Sequence, residues 1–125
     1  MGREYPAVSF VIEADHVAAF ARSIGASPED GVPPTYAASY ALFTTAPALF
    51  GDTEAGVDLG RLLHAEQEFE WQRHPEVGET VIAQGRVVSD EERRGMRFIR
   101  FETTCTVAGA PLCRSQALFI IRGKQ

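Results

Sequence analysis

The sequence predicts an α+β domain, one antiparallel sheet with its helices gathered on one face. Three observations carry this. The first half of the chain holds two helix-period segments separated by a proline-rich loop. From about His64 onward the pattern changes to period-two alternation, the signature of strands half-buried in a sheet. Short turn signals separate those alternating segments, and strands joined by short turns pair antiparallel. A meander with helices on one side is a two-layer α+β architecture, and a chain of 125 residues holds one such domain.

Each element follows from local pattern. Val8, Phe10 and Ile12 alternate with Ser9 and Val11, which reads as a short strand. Asp15 can cap a helix over about 16–24. Its apolar stripe is Val17, Phe20, Ala21 and Ile24, and Gly25 stands just past its end. This helix is expected to lie against a broad surface. Residues 26–34 form a loop by composition, and Glu29 and Asp30 are its carboxylates. Thr35 can cap a second helix from Tyr36 to about Thr45, with Pro47 expected to end it. Residues 57–63 are ambiguous. Four strands follow, over about 66–73, 80–89, 97–107 and 112–122. Pro75-Glu76-Val77-Gly78, the charged run 90–95 and Ala108-Gly109-Ala110-Pro111 are the turns between them.

Composition excludes several classes. Apolar residues make up 45% of the chain, enough for a core, yet no run approaches the roughly 18 residues of a membrane span. The start, Met1-Gly2-Arg3-Glu4-Tyr5-Pro6, lacks the apolar stretch of a secretory signal, so a cytoplasmic location is expected. Net charge is −5, which argues against nucleic acid as partner. The charge is uneven: residues 1–85 carry 4 basic and 13 acidic side chains, residues 86–125 carry 8 and 4. The basic end could meet an anionic ligand. Cys105 and Cys113 are too few for a zinc site and, in a reducing compartment, are expected as free thiols. No phosphate-binding glycine loop or Ser-His-Asp array appears.

Three short signatures occur in a fixed order. Phe10-Val11-Ile12-Glu13 is followed by the Val17 to Gly25 stripe. Val32-Pro33-Pro34-Thr35-Tyr36 comes next. Leu62-Leu63-His64-Ala65-Glu66-Gln67-Glu68-Phe69-Glu70-Trp71 then leads to His74-Pro75-x-x-Gly78-Glu79-Thr80-Val81. Together, over about residues 8–122, they resemble the N-terminal, fatty-acid-synthase-type dehydratase domain of MaoC-like proteins. The resemblance implies a hot-dog fold, in which a curled antiparallel sheet wraps a central helix. Periodicity by itself does not separate that fold from a ferredoxin-like or cystatin-like sheet.

The resemblance also implies chemistry on acyl groups carried by coenzyme A or acyl carrier protein, with no other cofactor and no metal. The family reaction is the reversible hydration of a trans-2-enoyl thioester. Its catalytic domains carry a signature like D-x-N-P-x-H-x-D, whose aspartate and histidine hold the water and move its proton. At the matching place this chain reads Ala26-Ser27-Pro28-Glu29-Asp30-Gly31-Val32-Pro33-Pro34-Thr35, with no histidine. The dyad is missing. The expectation is therefore a substrate-binding subunit paired, as homodimer or heterodimer, with a second hot-dog.

Within that frame His64 is the candidate catalytic residue, against a structural role in which its ring bonds nearby backbone at a strand entrance. Pro34, Thr35 and Tyr36 are candidates to line the acyl pocket, against a plain helix start. Glu66 and Gln67 are candidate binding residues, against strand-edge or interface positions. Arg93, Arg94 and Arg97 surround a hairpin and could meet phosphates or an acidic carrier surface, against a solvated hairpin. His16 and His74 read as surface or turn positions. Two other functions compete: a non-catalytic acyl-binding scaffold, and a hot-dog thioesterase, which usually places a carboxylate on its central helix.

Overall fold

A computed structural model describes residues 3–27 and 31–123. Six strands form one antiparallel sheet: β1 (Arg3–Glu4), β2 (Val8–Val11), β3 (Leu62–Trp71), β4 (Thr80–Arg93), β5 (Met96–Val107) and β6 (Ala110–Ile121). The order across the sheet is β1-β4-β5-β6-β3, and β2 pairs with β4 further along the same edge as β1. Thus β1 and β2 act as one edge strand interrupted at Tyr5-Pro6-Ala7. Proline has no N–H for a ladder and belongs at such an edge. The opposite edge is β3, which pairs on one side only, with β6. The sheet curls around a helix without closing into a barrel, the hot-dog arrangement.

Two helical stretches precede β3. The first, α1 (Ala14–Ser23), starts two residues earlier than Asp15 suggested; Glu13 holds the cap position and Asp15 lies in the first turn. The second begins with a 3₁₀ turn (Pro34–Tyr36), widens into a π-helical turn (Ala38–Leu42) and continues as α2 (Phe43–Phe50). This second stretch, residues 34–50, is the central helix, lying over β4, β5 and β6. The expectation that α1 would lie on a broad surface is corrected. Only Val17 and Ala21 of α1 are buried, and Val17 joins a core cluster with Ile12, Tyr36 and Ala37. The reason is stripe width. Tyr36, Ala37, Tyr40, Ala41, Leu42, Thr45, Ala46 and Leu49 are all buried, a wide face of small and aromatic side chains that can sit close on a sheet.

Pro47 does not end the helix; it lies inside α2 at an exposed position. The wider π turn just upstream gives its ring room. Its own backbone cannot donate to the preceding turn, and at an exposed site water can serve that carbonyl. Thr35 does not cap. It sits within the 3₁₀ turn, exposed, and the cap position is Pro33 with no side-chain bond.

The core face of the sheet presents Val81, Ala83 and Val87 from β4, Ile99, Phe101 and Cys105 from β5, and Cys113, Ala117 and Phe119 from β6. Gly85 lies among them because Phe101 lies over it; a Cβ there would stand 2.4 Å from the ring. The charged run 90–95 is not a loop. Strands β4 and β5 continue through it, and the turn is only Arg94-Gly95, with φ of 54° and 79°. Two residues at positive φ make the tight turn whose twist suits a hairpin. Cys105 and Cys113 face each other in register and are free and buried. Among the described residues no helix is long and apolar enough to cross a membrane.

Candidate functional site

The site is built on β3. A plain strand alternates its side chains, so His64 and Gln67, three apart, would point to opposite faces. A β-bulge at Ala65 changes this: His64 pairs with Phe119, and Glu66 pairs with the next residue, Leu118. The extra residue re-aims the strand. His64 and Gln67 then both stand on the core face, and Glu66 points to the outer face.

A chain of hydrogen bonds follows. Gln67 Nε2 donates to Ser115 Oγ (2.8 Å) and to the Glu68 carbonyl (3.1 Å). That orients the amide so that Oε1 faces His64 Nε2 at 3.1 Å. Oε1 can only accept, so His64 Nε2 carries a proton and Nδ1 is the ring nitrogen turned away from Gln67. The ring leans on Phe119, with centroids 5.2 Å apart, and Phe119 contacts Phe50 at the end of the central helix. Behind Ser115 lies its register partner Thr103, whose hydroxyl meets Thr45 of the helix at 2.9 Å. Thr45, Thr103 and Ser115 are buried, so a polar seam runs from under the helix to the exposed His64. The backbone bonding expected of His64 is replaced by this side-chain partner.

Beyond Gln67, Phe69 and Trp71 lie half-buried on the same face. The Tyr40 hydroxyl and the Trp71 indole N–H come near each other but outside hydrogen-bond geometry. Burial, with the Cys113 thiol close by, pushes the Tyr40 hydroxyl far above its ordinary pKa, so it stays protonated.

The other expected site residues do not join His64. Tyr36 is buried, and its hydroxyl meets His16 Nδ1 at 2.7 Å. Burial raises its pKa, so the hydroxyl keeps its proton. It packs the helix start instead of lining an open pocket, and Pro34 and Thr35 are exposed beside it. Glu66 faces Arg100 at 3.7 Å on the outer face. The three arginines separate. Arg93 lies over Phe98 and pairs with Glu91, and Arg94 forms the turn. Arg97 is clamped by Asp90 through two bonds of 2.9 and 2.7 Å. Glu29 and Asp30 lie outside the described residues. Among the described residues, no group of acidic, histidine and cysteine side chains could hold a metal.

A cavity of about 760 Å³ opens on the β4 side. Leu49, Ala55, Val87 and Ile99 form its apolar floor, with Arg3, Asp90 and Arg97 at the rim. The rim is charge-compensated, since Arg3 pairs with Asp52 and Glu54, and Arg97 with Asp90. No histidine lines it.

A curled antiparallel sheet around a central helix defines a hot-dog protein. A family described as FAS1-like, dehydratase domain region, matches residues 1–115, and the chain belongs to it. The chain is similar to a UPF0336 protein of Saccharopolyspora erythraea, 27% identical over 98% of this chain and 89% of that protein. Its fold is similar to that of the C-terminally truncated HadBC (3R-hydroxyacyl-ACP dehydratase) complex of Mycobacterium tuberculosis, with TM-score 0.73, 18% identity, and coverage of 96% of this chain and 94% of that one. The ChsH1-ChsH2 complex of the same organism matches with TM-score 0.75 and 10% identity, covering 98% of this chain and 85% of that one.

Proposed function

We propose that this chain is the substrate-holding subunit of an acyl-thioester hydratase/dehydratase and works joined to a second hot-dog subunit. The observation behind it is His64, held through Nε2 by Gln67 on the inner face of an edge strand that pairs on one side only. Removing water from a 3-hydroxyacyl thioester needs a base for the C2 proton and an acid for the leaving hydroxyl. Among the described residues, the Gln67-Ser115 chain that holds His64 includes no carboxylate, and the nearby Glu66 faces away. The second proton-transfer group then comes from the partner, and His64 Nδ1 holds the substrate's hydroxyl or its water. The reaction changes no overall oxidation state, so the carrier thioester, on coenzyme A or acyl carrier protein, is the only group required. Arg93 and Arg94, at an exposed hairpin, supply cations for carrier phosphates, and a cytoplasmic location suits both carriers. Two solved neighbours of this fold are complexes of two differently named chains, which supports a paired assembly joined edge to edge. The thioesterase alternative finds no support in the central helix: residues 34–50 contain no carboxylate.

Co-expression with a hot-dog subunit that carries the D-x-N-P-x-H-x-D signature tests this. The pair should hydrate crotonyl-CoA, and this chain alone should be slower by roughly 10²–10⁴-fold, the usual worth of positioned acid–base groups. His64→Ala should lower turnover of the pair by about 10²-fold with little change in melting temperature, because the ring is exposed. Robust turnover by the isolated chain would refute the proposal. Activity of His64→Ala that falls only as far as folding does would return the residue to a structural role.

A further inference from the structure

We infer that the free edge of β3 rejects a second copy of this chain and selects a hot-dog partner whose own edge strand carries lysine or arginine on its outer face. The inference rests on the edge-pairing reading above and adds to it the chemistry of the partner. Of the two sheet edges, one is split into β1 and β2, of two and four residues; the other is β3, ten residues long. Only β3 offers a long row of backbone donors and acceptors to an added strand.

Its outer face carries Glu66, Glu68 and Glu70, all exposed. When an antiparallel strand is added so that the two inner faces join, outer-face residues stand opposite outer-face residues, with Cβ atoms about 4.5–5.5 Å apart. A second copy paired about Glu68 would run Glu66, Glu68 and Glu70 against the same three glutamates in reverse, and like charges directly opposite destabilise a ladder. The chain's own arginines offset this at the two ends of the row and not at its middle. Arg114 on β6 is shared between Glu70 at 2.9 Å and Glu102 at 3.4 Å. Arg100 on β5 reaches Glu66 at 3.7 Å. Arg86 on β4 is held by Glu102 at 2.7 Å. Glu68, in the middle, has no ion-pair partner among the described residues. The edge thus presents one uncompensated carboxylate, Glu68, flanked by two that share their arginines, and a basic strand would set a cation opposite it.

The chain can serve as its own probe. A charge-reversed copy, E66K/E68K/E70K, should form a 1:1 dimer when mixed with the wild type at micromolar concentration and low salt, while each alone stays monomeric by light scattering. The milder Glu68→Lys variant, which removes no described ion pair, should bind the wild type in the same way if the triple variant folds poorly. E66Q/E68Q/E70Q should self-associate more than wild type. Raising salt to about 1 M, where screening acts within about 3 Å, should weaken the mixed dimer. Hydrogen exchange should show β3 amides protected in every dimer. A wild-type homodimer at low salt with β3 protected would overturn the charge rule and leave edge pairing standing. A dimer with β3 amides exchanging freely would overturn edge pairing itself. A mixture that stays monomeric with both mixed-charge partners would overturn the inference.

Discussion

Gly85→Ala is the substitution whose sign is decided by the tertiary structure. Gly85 sits inside β4, opposite Thr103, at a backbone conformation any residue adopts. By local physics alone, Ala is better there. It restricts the unfolded chain, a gain of about 0.4–1 kcal/mol where the native backbone accepts it. The packing argues the other way. An added Cβ would meet Phe101 Cζ at 2.4 Å and both Cε atoms at 3.1 Å. Ordinary carbon–carbon contact is about 3.5–4.0 Å, so the ring must retreat by more than about 1 Å. Phe101 is 1% exposed and hemmed in by Tyr5 and Phe119, with ring centroids at 6.2 and 6.4 Å. Overpacking of this kind costs about 1–3 kcal/mol, more than the entropic gain. For a chain of this length that is a fall in melting temperature of roughly 4–12 °C. Thermal and urea unfolding of wild type, Gly85→Ala, Phe101→Leu and the double variant measure it. The smaller Leu side chain should make room for the methyl, so the double variant should lose less than the two singles combined. A Gly85→Ala protein as stable as wild type, or more so, would refute the reasoning.

Two further outcomes follow from the charged and thiol groups. Arg97 holds the Asp90 carboxyl below the usual carboxylate range through two hydrogen bonds. A depressed folded-state pKa contributes stability above the unfolded value and loses it as pH falls through the folded one. Asp90→Asn should therefore be less stable than wild type at neutral pH, with the gap closing as pH falls through and below the usual carboxylate range; a gap independent of pH in urea titrations would contradict this. Burial pushes the Cys105 thiol up to about 12 and raises Cys113 as well, so the native protein should react with iodoacetamide at pH 8 far more slowly than the urea-unfolded chain. Rapid native labelling of either thiol would show that this core opens.

The family match covers nearly the whole chain, yet the proposed chemistry rests on one bulge and one amide orientation. Function resides in such sites, and many unlike activities share one fold.

Local pattern in the sequence was enough for the α+β class and its antiparallel sheet. Period-two alternation marked the four long strands, and turn chemistry made them antiparallel, because both signals act within a few neighbouring residues. The ordered signatures around Val32–Tyr36 and Leu62–Trp71 were enough for the family. Only the tertiary structure decided which helix is central, since α1 and the central helix both show apolar periodicity and differ in the width of face the sheet can cover. Only it showed that the run 90–95 is paired strand, because charged side chains hide a ladder whose bonds are all backbone. The bulge at Ala65 left no trace in composition. It is a mismatch in register between β3 and β6, strands some fifty residues apart along the chain. No local signal could report that His64 and Gln67 share a face, that Glu66 turns from them, or that Arg93 and Arg97 part. Sequence neighbours specify which way a chain can turn; which side chains meet across a sheet depends on partners that arrive only when it folds.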